Sequence, residues 1–226
     1  RVTHPSLAAG SYRVSIANQL GDPGIVRSTA NLVAVNAPVH TATTLSYPNA
    51  DPKSPRNMIY DAERQALLIG VGLPIAGAAN GSIYRYTYSG SAWSVTPATQ
   101  AVSEFRDLAL SLDGKTLIAA TNSSAKQFDA VTLAPGISTD IALFTLRFLS
   151  QLALANDGYA VFTTGINGSG FTETYRYSVA DGVFSTSIAS LYFAASGASA
   201  DGSRALLVQG GVSPAQPAYQ YNASTG

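Results

Sequence analysis

An Asp-Gly pair flanked by apolar runs recurs at a fixed spacing: Asp113-Gly114, Asp157-Gly158 and Asp201-Gly202 stand 44 residues apart. Around the first of them, FRDLALSLDGKTLIAAT reads as a strand over 105–111, a tight turn and a second strand over 116–121. Asp-Gly supplies the left-handed backbone that such a turn needs, and alternating apolar residues on both sides mark the paired strands of a hairpin. LSQLALANDGYAVFTT and SGASADGSRALLVQG repeat the arrangement. A shift of 50 in the other direction brings in RNMIYDAERQALLIG, with Arg56, Asn57 and Met58 where Arg106, Asp107 and Leu108 stand. Four copies of one supersecondary unit imply a repeat architecture, because a unit of this size cannot bury its apolar faces alone and must stack on its neighbours.

Each hairpin is followed by a loop and an aromatic strand: SIYRYTY at 82–88, KQFDAVTL at 126–133, ETYRYSV at 173–179 and AYQYN at 218–222. Turn signals and a further strand such as AWSVTP or VFSTSI follow the first three of these. Four strands in about 44 residues is the blade of a β-propeller, since solenoid repeats are shorter or helical. The fold class expected is therefore all-β, with blades over about 56–100, 101–143, 144–190 and 191–226. The stretch FTLRFLSQLALA at 144–155 also fits a helix, but its alignment with strands in the other copies favours a strand. Two closures stay open. The blades belong to a larger ring completed by another chain or by the rest of the parent protein, or 39–47 supplies a last strand and closes a four-bladed ring. An unclosed arc leaves sheet edges and apolar faces available for pairing.

The inner hairpins, RDLALSLDGKTLIAAT above all, resemble the YVTN, lactonase-like and TolB-like propeller repeats, in which an S-x-DGK-x-L turn joins the two inner strands of a blade. The likeness covers 56–226 and implies architecture, not activity, since such blades serve many functions. Pro is missing before each of the three Asp-Gly pairs, and neither WD40 pairs nor sialidase boxes occur. Ahead of the blades, Tyr12, Val14 and Ile16 alternate with polar residues as in a half-buried strand, and Leu32, Val33 and Val35 suggest another. With Gly10, Asn18 and Gly21 they resemble the last strands of an IPT/TIG immunoglobulin-like domain, a likeness that implies a partial sandwich over 1–38. Two strands of an unrelated β module fit these residues as well. Pro38, Pro48, Pro52 and Pro55 bracket a connector over 39–55, in which 39–47 has the look of an edge strand. The chain opens at Arg1 in what reads as the middle of a domain, and is read as a piece of something longer.

Charge narrows the partners. With 13 Lys and Arg against 13 Asp and Glu, spread singly, no basic patch attracts nucleic acid or an anionic membrane surface. No apolar run reaches the roughly 18 residues of a membrane span. The absence of Cys excludes disulfides and thiolate chemistry. Abundant small residues and 12 Tyr resemble the composition of secreted bacterial β proteins, and the expected location is extracellular, on the cell surface or periplasmic.

The aligned starts of the innermost strands are Arg56-Asn57, Arg106-Asp107, Ser150-Gln151 and Ala194-Ala195. At the mouth of a propeller channel, Arg56, Asn57, Arg106, Asp107 and Gln151 would converge as a site for a polar ligand. Such side chains also serve to tie neighbouring blades together. The loops at 72–82, 121–125, 164–170 and 210–218 share that face. The Asp-Gly turns offer one carboxylate each, unlike the acidic loop that calcium needs. His4 and His40 are the two histidines and lack partners at ligand or triad spacing, so no metal or cofactor is expected. A carboxylate pair such as Glu104 and Asp107 is the remaining route to hydrolysis. Tyr84, Tyr86, Tyr88, Tyr175 and Tyr177 suit either carbohydrate stacking or burial between blades, and Asn80, Asn122, Asn167 and Asn222 each begin an Asn-x-Ser/Thr sequon. The expectation is a non-catalytic binding or scaffold region that recognises a protein or a glycan. A lactonase-like hydrolase or polysaccharide lyase, and a spacer in an adhesin or filament, are the alternatives.

Overall fold

The computed structural model describes residues 10–13, 32–35, 44–45, 55–72, 81–98, 101–102, 104–143, 146–168, 170–192, 194–210 and 218–225. The chain divides into two compact units, 1–45 and 46–226. In the first, β1 (Gly10–Arg13) pairs antiparallel with β2 (Leu32–Val35), Tyr12 opposite Val33. Val14 and Ile16, and most of the edge strand expected over 39–47, lie outside the described residues; Thr44 and Leu45 belong to no strand.

The second unit is all-β. Its first sheet holds β3 (Pro55–Asp61), β4 (Ala66–Val71), β5 (Ser82–Tyr88) and β6 (Trp93–Pro97) in chain order. The second holds β7 (Asp107–Leu110), β8 (Thr116–Ala120), β9 (Ser124–Asp129) and β10 (Pro135–Asp140). The third holds β11 (Arg147–Leu154), β12 (Tyr159–Ile166), β13 (Phe171–Ser178) and β14 (Val183–Tyr192). β15 (Ala194–Ala198), β16 (Arg204–Gln209) and β17 (Ala218–Asn222) form a three-stranded fourth sheet. These are the blades of a β-propeller, as the repeat implies. The segment with helical periodicity is the strand β11, and among the described residues no helix is long and apolar enough to cross a membrane.

The reason is visible in β8. Its sequence TLIAA is apolar on both sides because both faces are covered, as in any sheet sandwiched between layers. Leu117 and Ala119 enter one core with Leu68 and Ile83 of the blade before and Phe105 of their own. Ile118 and Ala120 enter a second core with Leu149, Phe162 and Tyr177 of the blade after. β11 divides in the same way, Leu152 and Leu154 to the second core, Ala153 and Ala155 to a third that contains Leu207 and Tyr221. A period of two thus sorts each inner strand between two cores. The inner strands meet in succession, β3 on β7, β7 on β11 and β11 on β15. Among the described residues no contact of comparable extent joins β15 to β3.

The recurrent turns share a detailed chemistry. Ser111 Oγ donates to Asp113 Oδ1 at 2.6 Å, and that oxygen also accepts the Lys115 N–H at 3.0 Å. In the fourth blade Ser199 Oγ donates to Asp201 Oδ1 at 2.6 Å, and the Ser203 N–H follows at 3.1 Å. Gly114 and Gly202 both take φ of 65°, which a side chain would oppose. These turns meet along one rim: the Asn156 N–H donates to Gly202 O at 2.8 Å, and its Nδ2 to Asp201 O at 3.0 Å.

Candidate functional site

The rim opposite the Asp-Gly turns is where the inner strands begin. Asn57 donates through Nδ2 to Asp107 Oδ1 and, at 3.3 Å, to Leu108 O. Asp107 Oδ2 in turn accepts the Leu152 N–H at 2.8 Å. Gln151 Oε1 then accepts the Ser196 N–H at 2.9 Å. From blade 1 to blade 4, therefore, the side chain at one aligned position reaches the inner strand of the next blade. The position after Gln151 in this series is Ala195, which has no group to hand on.

Asn, Asp and Gln perform one task with side chains of different length because each meets backbone of the next blade, whose hydrogen-bonding groups do not depend on sequence, and Asn57 meets the Asp107 carboxylate besides. Burial raises the Asp107 carboxyl above the ordinary Asp value, opposed by the hydrogen bonds from the Leu152 N–H, the Leu108 N–H and Asn57. The half-buried carboxyl group is thus ringed by donors, the condition under which a charge at such a place is tolerated.

The two arginines at this rim are placed differently. Arg56 is exposed, and its Nε donates to Gly72 O at 3.1 Å. Arg106 Nε donates to Asn122 Oδ1 at 2.6 Å, and its guanidinium carbon lies 3.7 Å from the centre of the Phe148 ring. Burial lowers the Arg106 pKa to about 10, Glu104 works against that shift and the like charge of Arg56 adds to it. Of the five residues expected at the mouth, Asn57, Asp107, Gln151 and Arg106 thus reach the neighbouring blade, and Arg56 bonds within its own blade while its charge adds to the lowering at Arg106.

Two contributors were not singled out as site residues from sequence. Asn122 lies in the loop at 121–125 assigned to this face, but only as a sequon, and Phe148 gave no signal beyond its strand periodicity. Arg147, next to Phe148, pairs with Glu173 and donates to Phe171 O at 3.2 Å. The loops at 73–80 and 211–217 lie outside the described residues. Of the tyrosines, Tyr84, Tyr86 and Tyr177 are buried; Tyr175 is half-buried and Tyr88 is exposed. Tyr177 lies between blades, its hydroxyl accepting Gln127 Nε2 at 3.0 Å.

No family model matches the sequence, and neither does any curated protein. Solved structures do. TolB from Acinetobacter baumannii superposes with a TM-score of 0.50 at 17% identity, covering 77% of this chain and 42% of that one. XC5397, a gluconolactonase from Xanthomonas campestris, gives 0.51 at 17%, covering 74% and 58%. Prolyl oligopeptidase B from Galerina marginata gives 0.50 at 16%, covering 71% and 23%. At these identities the likeness shows the fold alone, and the first two are propellers of the kind that the inner hairpins resemble. The chain spans about half the length of the first two of these structures and about a quarter of the third.

Proposed function

We propose that this chain is a non-catalytic binding scaffold, the propeller region of a secreted or surface-attached bacterial protein. On this reading 1–38 are the tail of an Ig-like module, 39–55 a connector and 56–226 the blades. The channel mouth takes an acidic group on a glycan or a protein. The observation that supports this is the division of labour at the rim. Asn57, Asp107 and Gln151 hold the blades in register, while Arg56 and the half-buried Arg106 add two cationic side chains at the same aligned position of successive blades, the charge of Arg56 lowering the Arg106 pKa. A carboxylate set between them relieves their repulsion and accepts from both, a role for which the planar fork of Arg is suited.

The hydrolase alternative draws less support. Both oxygens of Asp107 already accept backbone or amide donors, which leaves it poorly placed to act as a general acid or base.

The test is a binding survey with uronate-bearing oligosaccharides and acidic peptides, followed by titration of the best binder against Arg56→Ala. Binding that falls at least about tenfold, with an unchanged melting temperature, fits the loss of one charge-assisted contact. Turnover of a lactone substrate, or equal binding by Arg56→Ala, overturns the proposal.

A further inference from the structure

Each seam between successive blades brings the same two positions of the third strands together. On one side Arg85 stands opposite Leu68, Gln127 opposite Ile118 and Arg176 opposite Val161. Leu68, Ile118 and Val161 belong in turn to the first, second and third cores. Directly opposed residues of an antiparallel pair share a face, so Arg85, Gln127 and Arg176 each look toward the following blade. On the other side Phe128, Tyr177 and Tyr221 stand opposite Leu117, Ala160 and Ala205, members of the same three cores.

Two of the three seams are tied at this level. In the second, Gln127 Nε2 donates to the Tyr177 hydroxyl at 3.0 Å and to Val179 O at 2.8 Å. In the third, the half-buried Arg176 meets the Tyr221 hydroxyl and stacks over the Tyr159 ring at 4.4 Å, its Nε alone recorded without an acceptor. The first seam has Phe128 at the tyrosine position, buried and with no hydroxyl to offer. Arg85, only 9% exposed, turns Nη1 to Thr87 Oγ1 of its own strand at 2.7 Å, and its Nε has no hydrogen-bond partner. A guanidinium N–H shielded from water calls for an oxygen acceptor, best a charged one.

The rest of the first seam is furnished with donors. Lys126 stands opposite Ala119 of the first core, so it faces the sheet of Arg85, and among the described residues it makes no ion pair. On the outer strands Thr96 stands opposite Arg85 and Ser138 opposite Lys126, both exposed. The second seam is closed at that depth, where the Thr139 hydroxyl donates to Gly182 O at 2.6 Å and Ile137 lies against Gly182. Asp140, opposite Ser124, is the one carboxylate facing the first seam from these described strands, against two cations.

We propose that the seam between blades 1 and 2 binds a divalent tetrahedral oxyanion, phosphate or sulfate. The anion accepts from Arg85 Nε where the other seams have a tyrosine hydroxyl, and Arg85 and Lys126 together balance its charge. It enters past the exposed outer strands, from which Thr96 and Ser138 supply further donors. Arg56 and Arg106 take no part, so the failure of this site leaves the reading of the channel mouth standing.

The probes are sodium sulfate and sodium phosphate at about pH 8, where phosphate carries two charges, against sodium chloride of equal ionic strength. The Arg85 Nε–H signal in proton–nitrogen correlation spectra, assigned by its loss in Arg85→Lys, reports binding at the site itself. Both oxyanions are expected to shift it saturably, with Kd of about 0.1–10 mM, and chloride is not. Phe128→Tyr supplies from within the chain the hydroxyl that Tyr177 supplies to Gln127, and is expected to weaken anion binding at least about tenfold. Lys126→Met removes a charge from the facing sheet, is expected to weaken binding as much, and serves where the tyrosine variant does not fold. Methyl phosphate separates a phosphoryl group of a larger ligand from the free ion; it is expected to bind like phosphate, and its exclusion would overturn entry past the outer strands. No saturable shift below about 100 mM, an equal shift by chloride, or unchanged binding in either folded variant overturns the proposal.

Discussion

Replacing Asp107 by Ala tests whether the rim is built from ties. The carboxylate accepts three hydrogen bonds, from Asn57 Nδ2, from the Leu108 N–H at 2.9 Å and from the Leu152 N–H at 2.8 Å. The Leu108 bond is local, but the other two cross between blades; in the variant the Leu152 N–H and the Asn57 amide hydrogen that meets Asp107 lose their acceptor, while Asn57 keeps its bond to Leu108 O. A buried donor left unsatisfied costs about 1–3 kcal/mol, so the pair costs about 2–6 kcal/mol. Removing a carboxylate whose pKa is raised by burial gives some of that back, which brings the expected loss to about 2–4 kcal/mol. For a unit of this size each kcal/mol lowers Tm by about 2–4 °C, so thermal unfolding followed by circular dichroism is expected to shift by roughly 5–15 °C. Asp107→Asn keeps one acceptor and is expected to lose less. A cycle with Asn57→Ala is expected to be non-additive by at least about 0.5 kcal/mol, because the two side chains share one bond. A Tm unchanged to within about 1 °C in Asp107→Ala would refute the tie, and with it the assignment of Asn57 and Gln151 to the same task.

Two further outcomes are expected. Asp201 is held down to about 2, first by the Ser199 hydroxyl and then by Ser203. With an unfolded value of about 3.9, its contribution to stability is complete above that pH and is lost as the pH falls toward 2. Urea midpoints between pH 5 and 2 are expected to fall less steeply in Asp201→Asn, and parallel curves for variant and parent would show that the turn carboxylate contributes nothing. Gly70 in β4 lies against the Phe105 ring, where an added Cβ would run into the ring carbons. Gly70→Ala is expected to cost about 1–3 kcal/mol by overpacking, and a neutral result in the same denaturant titration would mean that the ring moves aside freely.

Much of the architecture was legible because the signals are local. An Asp-Gly turn between apolar runs specifies a hairpin through the conformation of two residues, and the spacing of its copies specifies stacking. Even the ambiguous 144–155 stretch was decided by alignment with its sister copies, which outweighed a periodicity that suits a helix. The rim was half legible. Register placed Asn57, Asp107 and Gln151 at one level, but nothing in their neighbourhoods along the chain says whether they face a ligand or the next blade. Arg106 illustrates the limit: its partners Asn122 and Phe148 lie on a later loop and on the next blade, brought to it only by the folding of three separate strands.

Taken alone, the order of residues determined that this chain makes repeated antiparallel sheets apolar on both faces, because turn chemistry and a period of two act between near neighbours. The tertiary structure decided which side chains cross from blade to blade and which of them meet at one rim. Those depend on distances between residues some 45 or 50 places apart, such as Asp107 to Leu152 and Asn57 to Asp107, and such distances exist only once the sheets have stacked.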